Sequence, residues 1–227
     1  MFSELINLFF PKSCSGCDSL LMGEECVLCT KCRHEIPLTN HHNIERNEVI
    51  QKFYGRIPIE FGAAFFYFQK KGIVQEMIHK LKYKGHEEIS SVIGNWYSEE
   101  LKHSKEIKNI DIVIPVPLHK KRMKERGYNQ VEGFGKALAK NLNIPYNEQI
   151  LQRILHTKTQ TKKNLLGRID VVDKAFDVTF SEIHHGKHFL LIDDVITSGS
   201  TLESCSRALL KIPNIKISIL CMAITNN

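Results

Sequence analysis

No apolar run in this sequence is long enough to cross a bilayer. The longest near the start, LINLFF, has Asn7 inside it and Glu4 before it, whereas a spanning helix needs about 20 apolar residues. The start also lacks the basic-then-apolar layout of a secretory signal. These two absences lead us to expect a cytoplasmic chain with no membrane span. There is no internal repeat and no low-complexity stretch. No Ser/His/Asp or Cys/His arrangement stands out, so nothing points to a covalent nucleophile, and His119, His156 and the His184–His185 pair read as surface histidines. A balanced set of paired cysteines is missing too: there are 7, and five of them crowd into Cys14–Cys32. In a reducing compartment such crowding argues for metal rather than disulfides.

What is present is ordinary globular composition. Of 227 residues, 42% are hydrophobic and 25% charged, enough for one good core and a small extra module. The net charge of +6, from 31 Lys+Arg against 25 Asp+Glu, is unevenly spread. His119–Tyr128 (HKKRMKERGY) holds five basic residues and one acid, and Leu151–Arg168 holds five and none. Such clusters suit a polyanion, either a phosphorylated small molecule or nucleic acid, although a solvated basic face looks the same in sequence.

The cysteine segment reads CSGCDSLLMGEECVLCTKC. A C-x-x-C turn puts two thiolates on one side of a tight loop, and a second such knuckle completes a closed tetrahedral site. We assign Cys14, Cys17, Cys29 and Cys32 as ligands of a structural Zn²⁺, with Cys26 left over; replacement of one thiolate by Cys26, His34, His41 or His42 is the alternative. A closed site leaves no position for chemistry, so this module is expected to be a scaffold or contact element. Metal would stabilise a segment too small to bury its own core. Cys205 and Cys221 sit in apolar patterns and are expected in the core.

From Phe53 onward, strand and helix patterns alternate. Ala63–Phe68 and Asp111–Val116 read as strands, as do HFLLIDDV and KISILCMAI. Val74, Met77, Ile78 and Leu81 form one helical stripe; Ile89, Val92, Ile93 and Trp96 form another; Val131, Phe134, Leu138 and Leu142 a third; Thr201–Lys211 is a further helix. The fold class this predicts is α/β, doubly wound, with a mainly parallel sheet and a small N-terminal zinc-ribbon-like module. The polar stretch Asn40–Gly55 is the expected boundary, dividing residues 1–45 from 46–227. In this architecture ligands sit beyond the carboxyl ends of the strands.

The stretch LLIDDVITSGST ends a buried strand in Asp193 and Asp194 and follows them with hydroxyl residues and one glycine before a helix. Unpaired amides and the positive end of the helix dipole there attract an anion. The carboxylates would repel a phosphate, so they need hydroxyls or a metal-bound group. A phosphorylated sugar satisfies both halves.

LLIDDVITSGST resembles the phosphoribosyl-pyrophosphate motif of type I phosphoribosyltransferases, with Thr197-Ser198-Gly199 where Thr-Thr-Gly is usual. PVPLHKKRMKERGYNQ, RILHTKTQTKKNLLGR and LKYKGH, together with the N-terminal cysteines, are similar to the competence protein F family, also described as amidophosphoribosyltransferase-like. The resemblance implies that Asp193 and Asp194 contact ribose hydroxyls and that Val195, Ile196, Thr197, Ser198, Gly199, Ser200 and Thr201 wrap the 5-phosphate. It implies that Pro115, Val116 and Pro117, with Arg122, Arg126 and Lys84, lie near the pyrophosphate, and that Thr159 and Gln160 belong to a loop over the site. Mg²⁺ would come with phosphoribosyl pyrophosphate, and the reaction would transfer phosphoribosyl to a nitrogen acceptor. Nothing reads as a glutaminase half. The same resemblance implies a part in DNA uptake. The alternative expectation is therefore a non-catalytic single-stranded-DNA-binding factor that works with the uptake machinery, its basic segments along the backbone and Tyr83 and Tyr128 stacking on bases.

Overall fold

The computed structural model describes residues 12–154 and 175–225. Its centre is a four-stranded parallel sheet in the order β1-β6-β5-β2, built from β1 (Phe61–Phe68), β2 (Ile112–Pro115), β5 (His188–Ile196) and β6 (Lys216–Thr225). Strand alternation sends Leu190 and Ile192 to one face, Phe189 and Leu191 to the other, and helices cover both. On the first face lie α3 (Ile73–Tyr83), α4 (Glu88–Leu101) and α6 (Glu132–Leu142); on the second lie α2 (Glu48–Phe53) and α7 (Ser200–Leu209). A sheet buried on both sides explains the near-continuous apolar strands. The expected parallel α/β architecture is what the chain adopts.

The helical stripes read from sequence are the buried ones: Val74, Met77, Ile78 and Leu81 on α3, and Ile89 and Ile93 on α4. Phe65 of β1 stacks on Tyr97 at 4.3 Å and meets Trp96 edge-on at 5.0 Å. Helices α4 and α6 cross so closely that a Cβ on Gly94 would stand 2.7 Å from the Phe134 carbonyl oxygen. Cys205 and Cys221 are core residues, as expected.

Both edges of the sheet are covered. Beyond β1, the Thr39 amide donates to the Phe65 carbonyl at 3.0 Å and the Tyr67 amide to the Pro37 carbonyl at 2.9 Å. Beyond β2, the Val113 amide donates to Pro145 at 2.8 Å and its carbonyl accepts from Asn147 at 2.9 Å.

The polar stretch Asn40–Gly55 packs against the sheet through α2, whose Val49 and Phe53 are buried. After α1 (Thr30–Glu35), a 3-10 turn at His41–Asn43 leads into α2. Asn47 is buried; its side-chain oxygen accepts from the Val49 and Ile50 amides, and its nitrogen donates to the carbonyls of His41, Ile44 and Gly62. One amide thus caps α2 and ties it to β1. Two further short strands, β3 (Leu151–Arg153) and β4 (Phe176–Val178), pair antiparallel and lie outside the strands expected from the sequence. The basic helix α5 (Lys120–Arg126) has no buried residue, and His119 caps it by accepting from the Lys121 amide at 3.1 Å.

Candidate functional site

All four parallel strands end at one cavity of about 420 Å³. Phe68 from β1, Thr225 from β6, Val116 and Pro117 after β2, and Asp193, Asp194, Val195 and Thr197 from β5 line it, which is where open parallel sheets bind ligands. Thr201, at the start of α7, completes the small-residue side. Four cations face in: Lys82 from α3, Arg122 and Arg126 from α5, and Arg153 from β3. A second hollow of about 490 Å³ adjoins it, sharing Lys82, Tyr83, Arg122 and Arg126 and adding Glu125.

The two acids are held differently. Asp193 Oδ1 accepts from the Asp194 amide at 2.8 Å, and Asp194 Oδ1 accepts from the Val195 amide at 2.6 Å. Asp194 Oδ2 pairs with Lys82 Nζ at 2.8 Å, both side chains being largely buried. Burial, and next the Asp194 charge, push the Asp193 carboxyl up to about 8, against the pull of Lys82 and Arg153. Burial and the neighbouring charge thus favour the protonated form of Asp193, and a ligand that needs the carboxylate has to displace that proton.

The bend after β5 is open to solvent at Thr197, Ser198 and Ser200. Gly199 is buried with φ of 78°, and a Cβ there would stand 2.9 Å from the Phe53 ring, so both backbone and space demand glycine. The Ser198 and Ser200 hydroxyls lie 2.9 Å apart.

Against the sequence expectations, Asp193, Asp194, Val195, Thr197, Thr201, Val116, Pro117, Arg122 and Arg126 all come to the cavity wall. Ser198, Gly199 and Ser200 form the adjoining bend. Strand β5 continues through the acids, pairing Val195 with Ala223 and Ile196 with Ile224, so Ile196 packs in the core with Leu202 instead of wrapping an anion. Pro115 is buried as the last residue of β2. Lys84 is exposed beyond α3 and lines neither hollow, whereas Lys82 lines both. Thr159 and Gln160 lie outside the described residues. Tyr128 is corrected as a stacking residue: it is buried, its hydroxyl donating to the Leu81 carbonyl. Tyr83 is exposed, with Arg126 5.7 Å over its ring and His79 at 5.2 Å. Sequence reading did not single out Lys82 or Arg153, although both lie in the stretches LKYKGH and RILHTKTQTKKNLLGR that carry the resemblance.

The sulfurs of Cys14, Cys17, Cys29 and Cys32 lie within 4.8 Å of one another, and Cys17 and Cys29 sulfurs are 3.7 Å apart. A tetrahedral ion with sulfur at ~2.3 Å separates its ligands by about 3.8 Å. Backbone amides point at the sulfurs, Cys29 to Cys14 at 3.3 Å and Cys32 to Cys29 at 3.4 Å. The Cys17 thiol is drawn down to about 6 by the Ser19 hydroxyl and amide, whereas burial and the other three thiols push Cys32 up. These four thiols can hold a metal ion. Cys26 is exposed and outside the cluster; His41 is buried 2.6 Å from Glu48, and His42 lies against Tyr97, so neither histidine joins it.

No protein-family model matches the chain. Curated relatives do. It is 35% identical to competence protein F of Haemophilus influenzae over 114 residues, half of each chain. It is 30% identical to competence protein ComFC of Bacillus subtilis over 139 residues, 61% of this chain and 54% of that one. DNA utilization protein YhgH of Escherichia coli strain K12 is 26% identical over 152 residues, 66% of each. The chain spans between 50% and 66% of the length of these competence-F relatives. Among solved structures, adenine phosphoribosyltransferase from Leishmania tarentolae overlays 78% of this chain and 88% of its own at TM-score 0.37 and 11% identity. A hypoxanthine phosphoribosyltransferase from Staphylococcus aureus does so over 60% and 62% at 0.33 and 18%. Among the described residues, no helix is long and apolar enough to cross a membrane.

Proposed function

We propose that this protein, similar to competence protein F, is a phosphoribosyltransferase-like protein of the cytoplasm whose cleft binds phosphoribosyl pyrophosphate with Mg²⁺. The observation that carries the reading is the convergence of Asp193, Asp194, Thr197, Thr201 and four cations on one cavity at the strand ends. Asp193 and Asp194 accept hydrogen bonds from the ribose hydroxyls. The bend 197–201 and the first amides of α7 take the 5-phosphate. Lys82, Arg122, Arg126 and Arg153 neutralise the pyrophosphate, the guanidiniums by forked hydrogen bonds. Mg²⁺, brought in with the pyrophosphate, keeps most of its water. In a transfer reaction the bond from the anomeric carbon to the pyrophosphate oxygen breaks, pyrophosphate departs with the electron pair, and a nitrogen lone pair forms the new bond. The chain supplies position and charge, and no covalent nucleophile. The four thiolates of Cys14, Cys17, Cys29 and Cys32 hold Zn²⁺ as a structural ion.

Thermal stabilisation tests the reading. Phosphoribosyl pyrophosphate with Mg²⁺ is expected to raise the melting temperature of the wild-type chain, and Asp193→Ala with Asp194→Ala to abolish the rise. Absence of any rise in the wild type, or its persistence in the double variant, overturns the assignment. Pyrophosphate release over a panel of amines and nucleobases then separates transfer from binding alone.

A second reading is favoured by exposed Tyr83, which presents its ring among Arg126 and His79 at the cleft mouth. Here the same cations track a single DNA strand and Tyr83 stacks on a base, in keeping with relatives named for competence and DNA utilization. Salt-sensitive oligonucleotide binding that survives the double aspartate substitution identifies this activity; an unchanged affinity across salt refutes it.

A further inference from the structure

We propose that Arg56, in the turn after α2, is a positioning residue that holds the bend 197–200 in shape for the 5-phosphate. This rests on the phosphoribosyl reading of the cleft. Within the bend, the Ser200 amide meets the Ser198 hydroxyl at 3.4 Å and the two hydroxyls meet each other. The firm attachment comes from a segment about 140 residues away in the chain. Arg56 Nη1 donates to the Ser198 carbonyl at 2.9 Å and to the Lys52 carbonyl at 3.1 Å. Its Nε donates to Glu203 at 3.0 Å, and its Nη2 donates to the same carboxylate. Glu203 sits in the first turn of α7 and also accepts from Arg207 at 2.9 Å.

One guanidinium thus bolts together the end of α2, the bend and the start of α7. The Phe53 ring packs beneath it against Gly199, with the Arg56 guanidinium 5.7 Å from the ring centre. The Arg56 side chain is one-third exposed and lies outside the residues lining the cavity, so it acts on the ligand through the backbone it holds. The consequence for binding is directional. Pulling the Ser198 carbonyl outward toward Arg56 fixes the peptide planes of the bend, and with them the amides that face an anion. An anion site made of amides depends on those amides being oriented before the ligand arrives. A lysine at position 56 keeps the charge but lacks the fork that reaches a carbonyl and a carboxylate together.

The test uses the full chain with Arg56→Ala and Arg56→Lys. Calorimetry measures affinity for phosphoribosyl pyrophosphate with Mg²⁺ and, separately, for magnesium pyrophosphate, which lacks the ribose phosphate. Amide hydrogen exchange follows residues 197–201. Arg56→Ala is expected to weaken phosphoribosyl pyrophosphate about tenfold, to leave magnesium pyrophosphate within about twofold, and to speed exchange in the bend while β1 is unaffected. Arg56→Lys should fall between, and carries the test alone if the alanine variant does not fold. Unchanged exchange in the bend, or equal weakening of both ligands, overturns the proposal while leaving the phosphoribosyl reading in place. A wild-type chain that binds neither ligand overturns that reading, and the role of Arg56 in phosphate binding falls with it.

Discussion

At the scale of single residues, Asp193 is the group whose chemistry the fold has altered most usefully. Its carboxyl is raised to about 8 by burial and by Asp194, while in the unfolded chain it titrates near 4. Between those values the folded state holds a proton that the unfolded state has released, so folding stability falls as pH rises from about 4 to about 8. Asp193→Asn removes the titrating group, and melting temperatures measured at pH 5 and pH 8 should then differ less than in the wild type. An unchanged difference would contradict the placement. Lys82→Met takes away one of the cations that pull Asp193 down and should move the upper end of the transition above 8. The acid pair was legible because its members are neighbours in the chain and stand at the end of an apolar run. Lys82 and Arg153 were not, because each is an ordinary surface-type residue until α3 and β3 deliver it to the cleft.

At the scale of elements, periodicity told strands and helices apart along β1, β2, β5 and β6 and along α3, α4, α6 and α7. It was silent where a polar group organised the structure. The hydrophilic composition of residues 40–55 hides what Asn47 does: one carboxamide, 3% exposed, caps α2 and reaches the Gly62 carbonyl. Asn47→Ala leaves buried carbonyls without donors and α2 without its cap, and should cost about 2 kcal/mol of stability in urea denaturation. A loss below about 0.5 kcal/mol, the level of ordinary surface changes, would refute that role. The helix matters for the cleft as well, since it carries Phe53 to Gly199. Strands β3 and β4, three residues each, are too short for an alternation to be read. Their pairing nonetheless sets Arg153 against the cavity.

At the scale of the whole molecule, the cysteine-bearing segment shares a core with the sheet. Cys14, Leu28, Cys32 and Ile36 are buried in one cluster with Phe65, Val74 and Met77, and Arg33 lies 4.7 Å over the Trp96 ring. Loss of a metal ion held by these cysteines should therefore be felt throughout. Chelation, or Cys29→Ser, is expected to lower the single melting transition by about 5 °C or more; a small early transition that leaves the main one in place would show the segment to be independent. The cysteine spacing made the four-cysteine cluster legible, but not this shared packing, which depends on apolar residues between the knuckles. The covered sheet edges carry a last consequence. With residues 37–39 hydrogen-bonded along β1 and residues 145–147 along β2, neither flank presents a bare ladder of amides for a stranger's backbone to zip onto. Among the described residues, a second copy meeting the central sheet edge to edge would find both flanks already bonded, which hinders that sheet from growing into a fibre.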